Sequence, residues 1–199
     1  MSETTRVITQ QRFYQGFTYE DFLKQPGIQL EQLAQHTAAF RLGPEDAQFF
    51  KDVVRSIPIK VIAIVGDNGG GIDVHRALPV MVAIARASGM ELRVFPKSKN
   101  LDMIRLYLNH GKFESVPVFA FFDENLKPLC HWIEQPRVAA DFKNKIRSEP
   151  NKENLPEAEL TKQQNKLYVP LWPAWRLEQV RELRELLSGI PLASGTDKR

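Results

Sequence analysis

Residues 61–81 read VIAIVGDNGGGIDVHRALPVM. The run from Lys60 to Val65 is apolar and β-branched with almost no polar member, the composition of a strand buried on both faces. Gly66 follows, then Gly69, Gly70 and Gly71 in succession. From about residue 73 to 87 the apolar positions Val74, Leu78, Met81, Val82 and Ala85 repeat at helical spacing, and Gly89 supplies the stop. A glycine-rich turn between a strand and a helix commonly holds a ligand, so its spacing is the first thing to test. A phosphate loop needs G-x-x-x-x-G-K-[ST]. Gly66 and Gly71 have the interval, but Ile72 and Asp73 stand where lysine and a hydroxyl residue must be, and an acid there repels phosphate. No register of the glycines gives the G-x-G-x-x-G of a dinucleotide loop. A helix N-terminus still offers free N–H groups to an anion.

Outward from this stretch the pattern alternates. Upstream, FTYEDFLKQ has Thr18 as a helix N-cap with Asp21 three residues on. GPEDAQFFKDVVRSI has Pro44 near a first helical turn and an apolar stripe at Phe49, Phe50, Val53, Val54 and Ile57, ended by Pro58. Downstream, MELRVF alternates as a strand. NLDMIRLYLNHGK reads as a helix capped by Asn100 and stopped by Gly111. VPVFAFF and KPLCHWI read as two strands joined by a tight DENL turn. QPRVAADFKNKIR is a further helix with Pro136 in its first turn. Strands separated by helices pair in parallel and a tight hairpin pairs antiparallel. The expected fold is therefore α/β, with a central mixed sheet of about four strands and helices on both faces. Residues 1–57 form a helical N-terminal extension and 58–147 the α/β domain. In 148–199 the stretch SEPNKENLPEAELTKQQNK reads as a linker before a C-terminal helix with stripe Leu177, Val180, Leu183 and Leu187.

Composition narrows the function. The chain has 199 residues, 43% hydrophobic and 26% charged, enough for a real core without staples. A net charge of +3 without a dense Lys/Arg block gives no nucleic-acid footprint. No apolar run approaches the ~20 residues of a membrane span. The start, MSETTRVITQQ, has no basic segment leading into an apolar one, so no signal peptide is read and the cytoplasm is the expected compartment. A single cysteine, Cys130, excludes both an internal disulfide and dithiol chemistry within the chain. His36, His75, His110 and His131 show no ligand spacing, so no metal and no cofactor are expected.

The element order, together with Pro79 and the SVP before the third strand, resembles the thioredoxin family. The bacterial thioredoxin-like group with a W-C-G-D-C or W-C-G-D-A motif is the nearer match: Asp73 stands at its Asp, LPVM at its L-P-V-L, and SVPVFAFFDENLKPLCHW at its hairpin. The resemblance covers roughly residues 10 to 147. It implies that the bond before Pro117 is cis and that the redox motif maps to Gly71-Ile72-Asp73-Val74. Gly70 then stands at the tryptophan, Gly71 at the nucleophilic cysteine and Val74 at the resolving one. Exchange needs a low-pKa thiolate and a second thiol, and glycine and valine supply neither.

The resulting expectation is a redox-inactive, thioredoxin-like binding module without catalytic residues. It would take a protein or an extended peptide between the loop of Asn68, Gly69, Gly70, Gly71 and Asp73 and the loop of Val116 and Pro117. His75 and Arg76 read either as solvent-facing side chains or as contacts for an anion or acidic peptide. Asp73 reads as a first-turn acid, Cys130 as a packed core thiol, and Tyr168, Trp172 and Trp175 as a patch folded back on the domain. Two other readings stay open. One is a glutathione- or anion-using enzyme of another class, weakened because residues 61–81 contain no Ser, Thr or Tyr. The other is a structural protein forming a homodimer through its C-terminal segment.

Overall fold

A computed structural model describes residues 3–147 and 157–190. In chain order the elements are α1 (Glu3–Val7), α2 (Gln10–Gln15), α3 (Tyr19–Leu23), α4 (Ile28–Ala39), α5 (Pro44–Ser56), β1 (Lys60–Val65), α6 (Ile72–Ser88) and β2 (Glu91–Pro96). Then follow α7 (Leu101–Ile104), β3 (Val118–Phe122), β4 (Pro128–Ile133), α8 (Arg137–Arg147), α9 (Glu157–Tyr168) and α10 (Trp172–Ser188). The sheet order is β2-β1-β3-β4. β1 runs parallel to β2 with Ile62 opposite Arg93, and antiparallel to β3 with Ile62 opposite Ala120. β3 and β4 form the hairpin with a register shift at Phe121/Phe122. Asp123 sets the turn by accepting from the amides of Asn125 and Lys127 at 2.9 and 2.8 Å.

The two-residue period of a strand decides the layers. Val61, Ala63, Val65, Phe119 and Phe121 face a core shared with α4, α5, α6 and α10. Ile62, Ile64, Val118, Ala120 and Phe122 face a second core with Ile8, Phe13, Met103, Ile104 and Tyr107. Val61 to Val65 are fully buried, and each large apolar side chain among them contributes about 1.5–3 kcal/mol. The free edge of β2 is met by Phe17, which exchanges backbone hydrogen bonds with Val94 at 3.0 and 2.8 Å. Segments before residue 58 and after residue 148 thus pack into the same core as the strands.

The structure departs from the sequence reading at three places. NLDMIRLYLNHGK is helical only through Ile104, with one 3₁₀ turn to Tyr107. Asn100 turns its amide onto the Pro96 carbonyl at 2.8 Å instead of capping, and His110 and Gly111, both at positive φ, make a tight turn closed by the Asn109–Phe113 bridge. The second half of the polar stretch read as a linker is α9; residues 148–156 lie outside the described residues. In α10 Leu177 is 64% exposed, while Val180, Leu183 and Leu187 are buried as read. At the level of Leu177 the inner face is filled by Trp175, Arg176 and Gln179, whose polar groups are drawn inward by carbonyls described below. α4 is an element the sequence reading did not separate from its helical neighbourhood.

Candidate functional site

The loop from Gly66 to Gly71 folds back on itself. A Cβ at Gly66 would lie 2.0 Å from the Gly70 carbonyl oxygen, so only glycine fits there. Asp67–Gly69 is a 3₁₀ turn in which Asn68 takes a left-handed φ of 52° and Gly69 one of 77°. Gly71, at φ 104°, is the N-cap of α6. Two of the three consecutive glycines therefore need conformations that side-chain-bearing residues rarely adopt, and the third, Gly70, does not.

Neighbours hold the loop on several sides. Leu30 of α4 lies against Gly69 and Gln29 against Gly70. Asp67 accepts from the Ser98 amide at 3.1 Å. Val116 comes from the far side: its Cγ2 would be 4.0 Å from a Cβ on Gly71. The Val116–Pro117 bond is cis. The expected pair of loops, Asn68 to Asp73 and Val116–Pro117, is thus adjacent in space. Gly71 is exposed, Val116 half-buried and Pro117 buried.

Not every amide of the glycine loop is free. Gly70 donates to the Asp67 carbonyl at 2.9 Å. The amides of Gly71, Ile72 and Asp73, and the amide and carbonyl of Val116, have no backbone partner among the described residues, as the start of a helix and a loop ahead of a strand dictate. Asp73 is a first-turn acid as read, but its carboxylate is taken by Lys143 Nζ at 2.8 Å and by Arg76 at 3.3 Å. It faces inward, not toward a ligand.

His75 and Arg76 require correction. Neither is solvent-facing and neither lies open to an anion: His75 is 8% exposed and Arg76 is fully buried. The reason is that α6 is enclosed by β1, α4, α5 and α10, so its polar residues are buried with its apolar ones. Arg76 Nη2 donates to the Glu134 carbonyl at 2.6 Å and Nη1 to Gln179 Oε1 at 3.3 Å. Its guanidinium also lies 5.8 Å from the centre of the Trp132 ring. Glu134, at φ 62°, in turn donates its amide to the Pro117 carbonyl at 2.7 Å. A buried cation on α6 is thereby tied through one residue to the Pro117 loop.

The C-terminal helix completes the site from behind. Pro79 has no N–H, so the His75 carbonyl lacks its helical donor. Arg176 supplies one, donating Nη2 to His75 O at 3.1 Å and Nε to Arg76 O at 3.0 Å. Gln179 Nε2 donates to Ala77 O at 3.0 Å. Glu182, almost buried, accepts from Trp132 Nε1 at 2.8 Å and from the Arg137 amide at 2.7 Å. Ile72 packs on the cluster of Ala139, Ile146, Tyr168, Trp172 and Trp175, so the aromatic patch is folded back on the domain beside the loop. Arg176, Gln179, Lys143 and Glu134 escaped sequence reasoning; the unmatched proline inside a helix was the one available signal. Cys130 packs against the main core on β4, half-buried, and burial pushes its thiol up to about 11. It lies outside the two loops.

A mixed four-stranded sheet with the β2-β1-β3-β4 order, covered by helices on both faces and carrying a cis-proline loop beside a helix start, is a thioredoxin-like fold. The chain belongs to a thioredoxin family, whose model, described as thioredoxin, matches residues 16–147. Two solved structures share the fold. One is a protein of unknown function from Pseudomonas aeruginosa, 13% identical, with a TM-score of 0.61 over 92% of this chain and 98% of that one. The other is an HIV epitope-scaffold, 12% identical, with a TM-score of 0.60 over 92% of this chain and 99% of that one. No curated protein matches the chain.

Proposed function

We propose that the protein is a redox-inactive thioredoxin-like module that binds an extended peptide segment of a partner protein between the glycine loop and the Val116–Pro117 loop. The reading takes Gly71 and Val74 to stand at the two cysteine positions of the W-C-G-D-C group. The observation that carries it is the closeness of Gly71 and Val116, two exposed or half-buried backbones with unpaired main-chain groups and no sulfur between them. An extended peptide recognises such a surface through main-chain hydrogen bonds, which need no thiol. Cys130 does not substitute: with its thiol raised to about 11, about one in ten thousand is ionised at pH 7, and the thiolate is the nucleophile.

Two measurements test the reading. Insulin reduction with dithiothreitol should match the rate without protein; activity lost in Cys130→Ser would mean a working thiol. In a titration of ¹⁵N-labelled protein with a panel of unstructured peptides, amide shifts should concentrate at residues 71–73 and 116. Binding that shifts only amides elsewhere, or none of the panel binding at all, would sink the groove as the binding surface.

A further inference from the structure

Beneath the glycine loop, three elements meet at a pair of imidazoles. The His36 ring of α4 lies edge-on to the His75 ring of α6, with centroids 5.6 Å apart, and edge-on to the Trp172 ring of α10 at 5.2 Å. Arg176 lies one turn further along α10, its guanidinium 5.4 Å from the centre of the Trp172 ring and 5.9 Å from that of Phe40. It also holds the His75 carbonyl. Among the described residues, the charged groups facing this junction are cations. On α10 it is Arg176. On α6 the neighbouring Asp73 is engaged by Arg76 and Lys143. From the loop, the Gly69 backbone favours the charged form of His75 and brings no acid. After α4, Arg41 donates to the Phe40 carbonyl. Among the described residues no Asp or Glu pairs with either imidazole.

We propose that the His36–His75–Trp172 junction is a pH-sensitive clasp, closed when both imidazoles are neutral and opened by their protonation, which frees the start of α10 and loosens the glycine loop above it. The physical reason is charge. Two protons add two cations beside Arg176 in a half-buried, aromatic setting with no acid to receive them, and burial disfavours the charged form. Burial first, then Arg176, lowers the pKa of His36. Burial first, then His36, lowers that of His75, with the Gly69 backbone opposing. For a histidine depressed in the closed state, the open state binds more protons. Closure is therefore complete above the ordinary value near ~6.5 and is lost as pH falls below it. The clasp concerns the site of the preceding section but not what it binds, so its test reads the clasp itself.

The test uses the full-length labelled protein. Imidazole resonances and the Trp172 indole are followed from pH 7.5 to 5, with amide hydrogen exchange at residues 69–75 and 172–176 corrected for its intrinsic pH dependence. Both imidazoles should titrate below about 6.5, with the Trp172 indole moving at the same midpoint. Opening at both segments should rise roughly tenfold or more between pH 6.5 and 5.5, because each of the two imidazoles takes up part of a proton on opening in that range. The His36→Phe/His75→Phe variant keeps rings but cannot titrate, and should lose that rise. His131→Phe, at an exposed histidine on β4 outside the junction, should keep it. Imidazoles titrating at or above ~6.5, or a pH-dependent opening that survives in the double variant, would overturn the clasp. Should the double variant fail to fold, the wild-type titration decides alone: coincident midpoints below ~6.5 support it and anything else refutes it.

Discussion

The first turn of α6 and the turn that follows it are treated in opposite ways. From Gly69 to Gly71 the chain removes side chains, from Gly71 to Asp73 it leaves amides without a backbone partner among the described residues, and Gly71 is exposed. From His75 to Pro79 it buries an arginine and a histidine, and the proline-orphaned carbonyl is met by a side chain from a helix about a hundred residues away. One turn of the helix is left open; the next is closed by α10. The contrast teaches that the bare loop is not a general loosening of the fold. A loop without side chains keeps its place only if something behind it is fixed, and here that something is a buried polar network.

The sharpest way to break the contrast is to remove Arg76. Its guanidinium is fully buried and joins Asp73, Gln179 and the Glu134 carbonyl. Arg76→Ala leaves those partners unmatched, and removing one member of a buried pair costs about 3–5 kcal/mol. Urea denaturation measures this, and NMR shifts at Glu134 and Val116 should report a displaced Pro117 loop. A loss under about 1 kcal/mol, the scale of a surface pair, would mean that the second turn is no firmer than the first. A milder probe of the same network is Trp132→Phe. It keeps the stacking on Phe119, with centroids 5.5 Å apart, but deprives Glu182 of a donor. The expected cost is about 1–3 kcal/mol, read from the same curves.

The first turn should respond through backbone geometry alone. Gly71→Ala meets ordinary contacts, with Val74 Cγ2 at 3.5 Å, so its cost of about 1–2 kcal/mol comes from the φ of 104°. Gly70→Ala, at φ −65°, should cost less than Gly71→Ala although Gln29 Oε1 must give way at 3.0 Å. Equal costs in thermal melts would show that crowding, not φ, governs the loop.

How much of this was legible follows from where each signal lies. β1 announces itself because Val61 to Val65 are apolar without a break, and the hairpin because Asp123 opens a tight turn between two strand-like runs. Those signals are local. Arg76 was misread because a polar residue in the first turns of a helix after a loop is usually wet. The counter-signal was present: residues 72–88 carry apolar side chains on every side, and a helix apolar all round is buried. Gln179 was invisible for a different reason. Its burial is decided by the Ala77 carbonyl and by Arg76, about a hundred positions away, so no window along α10 contains the cause. The same holds for Leu177, which looks like core until Gln179 takes the inward position. The candidate loops were legible in outline, but which amides remain unpaired depended on the folded turn.

The smallest expected effect is also the most specific. If Arg176 is present because Pro79 orphans a carbonyl, the two residues must be coupled. Arg176→Ala leaves His75 O and Arg76 O without their side-chain donor, an orphaning that costs about 1–3 kcal/mol. Pro79→Ala restores an N–H at position 79, four residues beyond His75, where the helical ladder can close on that carbonyl. In the Pro79→Ala background Arg176→Ala should then cost less, because one of its two acceptors has another donor. The coupling should be about 1 kcal/mol, the net worth of one hydrogen bond. Urea denaturation of the wild type, both single variants and the double variant gives the cycle directly. Strict additivity would mean that Arg176 holds α10 through its ring contacts with Trp172 and Phe40, and that the proline and the C-terminal helix are independent features of the fold.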